Sequence, residues 1–276
     1  MALGSINTNA GAIVALQNLR MTEQSLFTTQ NRINTGLAVA SAKDNGAIYG
    51  IAQAQRADVA SYNAVKQSLQ RGMSTVDVAI AASETVSDLL IQMKEKAIAA
   101  SDTSIDSSSR AALNEDFKAL RNQINKTISN ADFNGVNLLD SSSANFYALA
   151  NPDNTSTLTI RNEVLTLGSS VLVLDATASL GTSTLSSNFL TSIESSINNL
   201  NSSMARLGTA SKAFETHYNF VSKLQDTIET GIGNLVDADL SKESARLQAL
   251  QTKQQLGLQA LSIANQQPQS ILALFR

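Results

Sequence analysis

Two narrow apolar stripes, one at each end of the chain, constrain the fold more than any other feature. From the start, Ile6, Ala10, Ile13, Leu16, Leu19, Leu26, Ile33 and Leu37 recur largely at steps of three, four or seven, with Glu23 and Gln30 in the gaps. Near the end, Leu240, Leu247, Leu250, Gln254, Leu258 and Leu261 do the same. Residues three and four apart share one helical face, so each stripe reads as a helix that needs a neighbour along one side. Neither end can bury its stripe alone, which points toward assembly rather than catalysis.

The remaining sequence extends the pattern. Ile51, Val59, Tyr62, Val65, Leu69, Val76, Ile80, Leu90 and Met93 keep a similar beat over 44–99, a stretch on the order of 80 Å long if continuously helical. Polar residues 101–109 offer several N-caps before a second rod marked by Leu113, Phe117, Leu120, Ile124 and Ile128. Phe133, Asn134 and Gly135 read as a turn. A third rod carries Ile193, Ile197, Leu200, Met204, Leu207, Phe214, Tyr218, Val221, Leu224, Ile228, Ile232 and Leu235. Gly231, Gly233 and Asn234 are expected to loosen its end.

Between the second and third rods the texture changes. Runs 146–149 and 171–174 alternate with Asn, Asp, Pro and Gly, with 157–161 and 164–167 as candidate partner strands. The expected class is therefore mainly α, with long antiparallel coiled-coil rods, a small β-hairpin insert at about 140–186, and termini paired as a coiled coil. The expected division is an inner terminal domain of 1–43 plus 236–276 and a rod domain of 44–235.

Composition agrees with thin helical contacts. Apolar residues make up 43% of the 276 residues, but aromatics only 4%, and two prolines leave long stretches free to run as helix. A net charge of −3 gives no electrostatic reason to expect nucleic acid or an anionic membrane as partner. No run approaches a transmembrane helix and the first twenty residues lack a signal-peptide pattern, so these rules alone indicate a cytoplasmic chain. With no cysteine, disulfides and thiolate metal sites are excluded.

Candidate chemistry is sparse. His217 is the single histidine, between Phe214 and Tyr218, and reads as an interhelical or surface residue, since a triad or zinc site needs partners that the sequence does not supply. Asp237, Asp239 and Glu243 admit a cation site or, as the better-founded reading at a helix start, capping. Asn125, Asn154 and Asn201 begin N-x-Ser/Thr triplets, two of them inside expected helices. The Ser/Thr-rich stretch 141–196 reads as a solvated surface or an acceptor of O-linked sugar. No enzyme, cofactor or metal is expected.

Three segments resemble the bacterial flagellins. Ser5, Ile6, Asn7, Thr8 and Asn9, with the stretch RINTGLAVASAKDNGAIYGIA from Arg32 to Ala52, resemble the family's opening. Residues 110–129, then Phe133, Asn134, Gly135, Leu138 and Leu139, resemble its second rod and turn. Asp237, Ala238, Asp239 and Leu240, followed by Ala264, Asn265, Gln266, Gln267, Pro268, Gln269, Ile271 and Leu272, resemble its closing signature.

The resemblance implies a self-assembling subunit of the flagellar filament, with the end helices in an innermost tube and the rods in a layer outside it. It implies an extracellular location reached unfolded through the flagellar type III export channel, with an export chaperone, hook-associated proteins and a cap protein as partners. A hook-filament junction protein of the flagellin-like type is the alternative. The assembly residues implied are Ile6, Ile13, Leu16, Leu19, Leu26, Ile33, Leu37, Leu240, Leu247, Leu250, Leu258, Leu261, Ile271 and Leu272. Where many flagellins carry Arg and a second Asp, this chain has Ala38 and Asn45. In the stretch matching the epitope of Toll-like receptor five, Gln92 and Lys96 replace Arg and Leu, so weak or absent recognition is expected.

Overall fold

The computed structural model describes residues 8–141 and 144–273, with side chains through 266. Among these described residues, five helices and one two-stranded antiparallel sheet follow in the order α1 (Ala10–Thr35), α2 (Gly46–Ser101), α3 (Ser107–Ser129), β1 (Phe146–Leu149), β2 (Thr157–Ile160), α4 (Ser183–Val236) and α5 (Leu240–Ala273). The chain divides into two compact units, one of residues 1–57 and 227–276 and the other of 58–226. The divisions fall inside α2 and α4, which contribute residues to both units.

Helix ends lie where side chains can replace lost backbone bonds. Asn9 caps α1 by accepting from Ala12 N at 3.1 Å, and Gly36 ends that helix at φ 72°, a left-handed conformation favouring glycine. Asn45 accepts from Ala47 N and Ile48 N at 3.2 Å and so starts α2. The residue that departs from the flagellin pattern here is thus a helix cap. Asp106 starts α3 by accepting from Ser109 N, and Asp239 starts α5 by accepting from Lys242 N at 3.0 Å. The capping reading of Asp239 therefore holds, and the described residues contain no group of His, Asp and Glu arranged to hold a metal ion.

The unit of 58–226 holds the main core. Val65, Leu69, Val76, Val86, Leu90, Met93, Ala97 and Ala100 are buried along α2 at alternating steps of four and three or their sums. Ile193, Leu200, Leu207, Phe214 and Val221 face them from α4 at steps of seven, and Phe117, Ile124 and Ile128 close the third side from α3. Gln225 donates to Asn63 at 3.2 Å, Gln70 donates to Tyr218 Oη at 3.3 Å, and Lys94 pairs with Glu194 at 2.7 Å. Partner numbers fall on α4 as they rise on α2, so the two helices run antiparallel.

The insert keeps one hairpin. Phe146 pairs with Ile160 and Leu149 with Thr157, and the backbone N–H of Leu149 donates to Ser68 Oγ at 3.1 Å, tying β1 to α2. His217 Nε2 lies 2.8 Å from the Ala150 carbonyl. A carbonyl only accepts, so this nitrogen carries the proton and the lone imidazole fastens the hairpin to α4. Glu163 follows β2 and binds Ser203 and Arg206 of α4, with Arg206 Nε donating at 2.7 Å.

The structure corrects two details. Residues 164–167 and 171–174 are not strands: Leu167 and Leu172 form a single parallel bridge, and Gly168 N donates to the carbonyls of Leu172 and Leu174. The apolar run 171–174 has the look of a strand, yet Val171, Leu172 and Leu174 are buried loop anchors that add to the core. Helix α4 also continues through Gly231, Gly233 and Asn234 to Val236, because its intrahelical bonds persist where glycine merely weakens propensity.

Candidate assembly surface

Within the unit of 1–57 and 227–276, α1 and α5 pack antiparallel. Asn9 Nδ2 donates to the Ala264 carbonyl at 2.7 Å, Leu19 lies against Gly257, Arg32 Nη1 donates to Glu243 Oε1 at 3.1 Å, and Leu37 bridges Asp237. Beyond α1, Ala38 N and Val39 N both donate to the Val236 carbonyl, at 2.7 and 3.2 Å, while Ala238 N donates back to Gly36 O. The two ends are therefore joined along their length and locked by backbone bonds at the turn. Ala38 contributes to this lock through its backbone N–H.

The seam between the helices is a strict heptad on both sides. Ala12, Ala15, Leu19, Thr22, Leu26, Thr29 and Ile33 are buried or half-buried on α1, and Glu243, Leu247, Leu250, Gln254, Gly257, Leu261 and Ala264 on α5. Eight of these fourteen are small or polar. Gly257 lets the helices approach closely, since a Cβ there would lie 3.3 Å from Leu19 Cδ1 and push that side chain aside by a few tenths of an ångström. Arg32 Nε and Glu243 Oε2 are buried without a hydrogen-bond partner, so the Arg32–Glu243 pair is incompletely satisfied.

The sequence-chosen residues sort into two sets. Leu19 and Leu250 are buried in the seam, and Leu26, Ile33, Leu37, Leu247 and Leu261 are half-buried. Ile13 and Leu258 are each 53% exposed, and Leu16 and Leu240 also face outward. Ile6 lies outside the described residues; Ile271 and Leu272 fall within α5, with side chains outside the described set. Sequence reasoning missed Val14, Met21, Phe27, Leu256 and Ile263, all exposed, with Phe27 at 64%. It also missed the Arg32–Glu243 pair. The signal was an acid, Glu243, in phase with the α5 seam, and a base, Arg32, flanking the α1 seam beside Ile33.

A unit this small that leaves so many Leu, Ile, Val, Met and Phe side chains in water is a surface awaiting cover. No helix among the described residues is long and apolar enough to cross a membrane. Of the charged groups here, Asp239 serves as a helix cap and Arg32 and Glu243 pair across the seam.

Comparison with known proteins gives the same answer. The model of the bacterial flagellin N-terminal helical region matches residues 6–144, and that of the C-terminal helical region matches 190–275. The chain is 55% identical to flagellin FljM and 54% identical to flagellin FljK of Caulobacter vibrioides over 276 residues, covering all of both chains in each case. It is 36% identical to a flagellin of Brucella melitensis over 290 residues, covering 99% of this chain and all of that one. Among solved structures, Bacillus cereus flagellin aligns with a TM-score of 0.50 at 19% identity, covering 56% of this chain and 88% of that one. A putative flagellar hook-associated protein of Vibrio parahaemolyticus aligns with a TM-score of 0.60 at 11% identity, covering 70% and 100%; both likenesses concern the fold. Paired end helices, the order of the rods and full-length identity converge: the chain belongs to the bacterial flagellin family.

Proposed function

We infer that this chain is a structural subunit of the bacterial flagellar filament, polymerising with its own copies outside the cell to build the filament used for motility. The observation that carries the reading is the pairing of α1 with α5 through a narrow seam, with Ile13, Leu16, Phe27, Leu258 and Ile263 left outside it. Residues 1–43 and 236–276 form the inner coiled-coil domain of the assembled tube, and 44–235 the rod domain around it. The fourteen residues from Ile6 to Leu272 named above supply the assembly contacts, some within one subunit and the exposed ones between subunits.

The driving force is apolar burial coupled to ordering. A fully buried Leu or Ile contributes about 1.5–3 kcal/mol, while each ordered backbone residue costs about 1–2 kcal/mol. A seam with one bulky apolar residue per turn or less leaves the end pair marginal alone. Covering its outer face with neighbouring subunits supplies the missing contacts. The role is structural, without a catalytic step.

Export through the flagellar channel, an export chaperone, and contacts with hook-associated and cap proteins follow from the same family reading. Recognition by Toll-like receptor five is weak or absent, because Gln92 and Lys96 alter the epitope and Lys96 is tied to Asp116 at 2.9 Å. Strong activation of a receptor reporter by the pure subunit would overturn that point.

The test of the main reading is negative-stain imaging of purified protein with and without filament seeds. Long filaments growing from seeds support it. Particles that bind seed ends and stop would instead indicate a hook-filament junction protein, and no growth would exclude a filament subunit.

A further inference from the structure

We propose that successive copies of this chain are joined, beyond their apolar faces, by a basic stripe on α5 of one copy seated on an acidic recess at the α4–α5 elbow of the next. The proposal rests on the filament reading and deepens it. Lys242, Arg246 and Lys253 lie within about 40° of one another around the α5 axis at 3.6 residues per turn. All three are exposed and none forms an ion pair among the described residues. The one acid on α5, Glu243, turns into the seam and is taken by Arg32. This helix face is thus an uncompensated row of cations.

The complementary surface lies at the other side of the same turn. Glu229, Asp237 and Asp239, with Gly233 and Asn234, line an open recess of about 590 Å³, large enough to admit several side-chain ends. The carboxylates are exposed, and no cation among the described residues pairs with Glu229 or Asp237. The stripe extends beyond reach of its own chain's recess: Lys253 stands fourteen residues along the helix from Asp239, about 21 Å at 1.5 Å per residue. A stripe and a recess that differ make a head-to-tail contact, which leaves one of each free at the ends and so propagates without closing. Such a contact also fixes the register that apolar faces alone leave loose.

The experiment measures the critical concentration for seeded growth at low and high salt. Two charge-reversed proteins are used, one with Arg246→Glu and Lys253→Glu, the other with Glu229→Lys and Asp237→Lys, together with the chain carrying all four changes. Circular dichroism confirms that each retains its helix content. Each two-residue variant is expected to raise the critical concentration about tenfold at low salt, the size of losing several exposed pairs of a few-fold each. The four-residue chain is expected to recover growth, and high salt to shrink the differences. Folded two-residue variants that grow like the parent, or a four-residue chain no better than either, would overturn the proposal. Failure of the parent protein itself to grow would instead sink the filament reading.

Discussion

Gly72 on α2 is so close to Phe214 on α4 that a Cβ built on the glycine would lie 2.5 Å from Phe214 Cε1. Phe146 of β1 meets the same point at 3.0 Å. The missing side chain is what lets helix, helix and hairpin close on one aromatic layer. Gly72→Ala is therefore expected to destabilise the rod unit by about 1–2 kcal/mol, overpacking outweighing the helix propensity gained. Gly208→Ala, with nothing within 4 Å of its Cβ, is expected to stabilise by up to about 1 kcal/mol. Urea unfolding of the two variants checks the contrast; equal effects would contradict the packing argument.

The end helices allow the folding and assembly roles to be separated. Leu261 is half-buried in the seam, whereas Leu258 is exposed three residues earlier on the same helix. Leu261→Asp is expected to weaken the α1–α5 pairing by at least about 2 kcal/mol and so to impair growth indirectly. Leu258→Asp is expected to change subunit stability by no more than about 0.5 kcal/mol while abolishing or strongly reducing seeded growth. Normal polymerisation of Leu258→Asp protein would remove that residue from the subunit interface.

Glu163 gives the insert a defined acid sensitivity. Burial pushes its carboxyl upward, but hydrogen bonds from Arg206 and Ser203 and the Arg206 charge outweigh burial and hold it below the ordinary value of 4.5. A lowered folded-state pKa binds fewer protons than the unfolded chain, so the stabilisation is complete above about 4.5 and is lost as pH falls through the folded value. Amide-exchange protection around 163–165, taken relative to the intrinsic rate at each pH, is expected to fall below pH 4.5 in the parent protein, with a smaller acid effect in Glu163→Gln. An unchanged acid profile in the variant would show that Glu163 is not the sensor.

Rod order, the polar break within 101–109, and the strands at 146–149 and 157–160 were legible because periodicity, caps and turn residues report local geometry. The buried loop at 171–174 was not, since its alternating Val and Leu look the same whether they pair with a strand or plug a core. On the end helices the large aliphatics drew attention to Ile13, Leu16 and Leu258, which the structure leaves outside the intrachain seam. The true seam runs through Ala12, Ala15, Thr22, Thr29 and Gly257, whose small or polar side chains carry little hydrophobic signal but fit between close helices. A chain that serves two neighbours, itself and other copies, carries two overlapping stripes, and sequence periodicity alone does not say which face meets which.

Hydrogen–deuterium exchange of α1 and α5, compared between the soluble subunit and the seeded filament, measures that division most directly. Fast exchange over both end helices in the subunit, slowed by at least about a hundredfold in the filament while the α2–α4 core stays protected in both, is the expected result. Equal, slow exchange of the end helices in both states would show that the ends are already complete in one molecule and contradict assembly-coupled ordering.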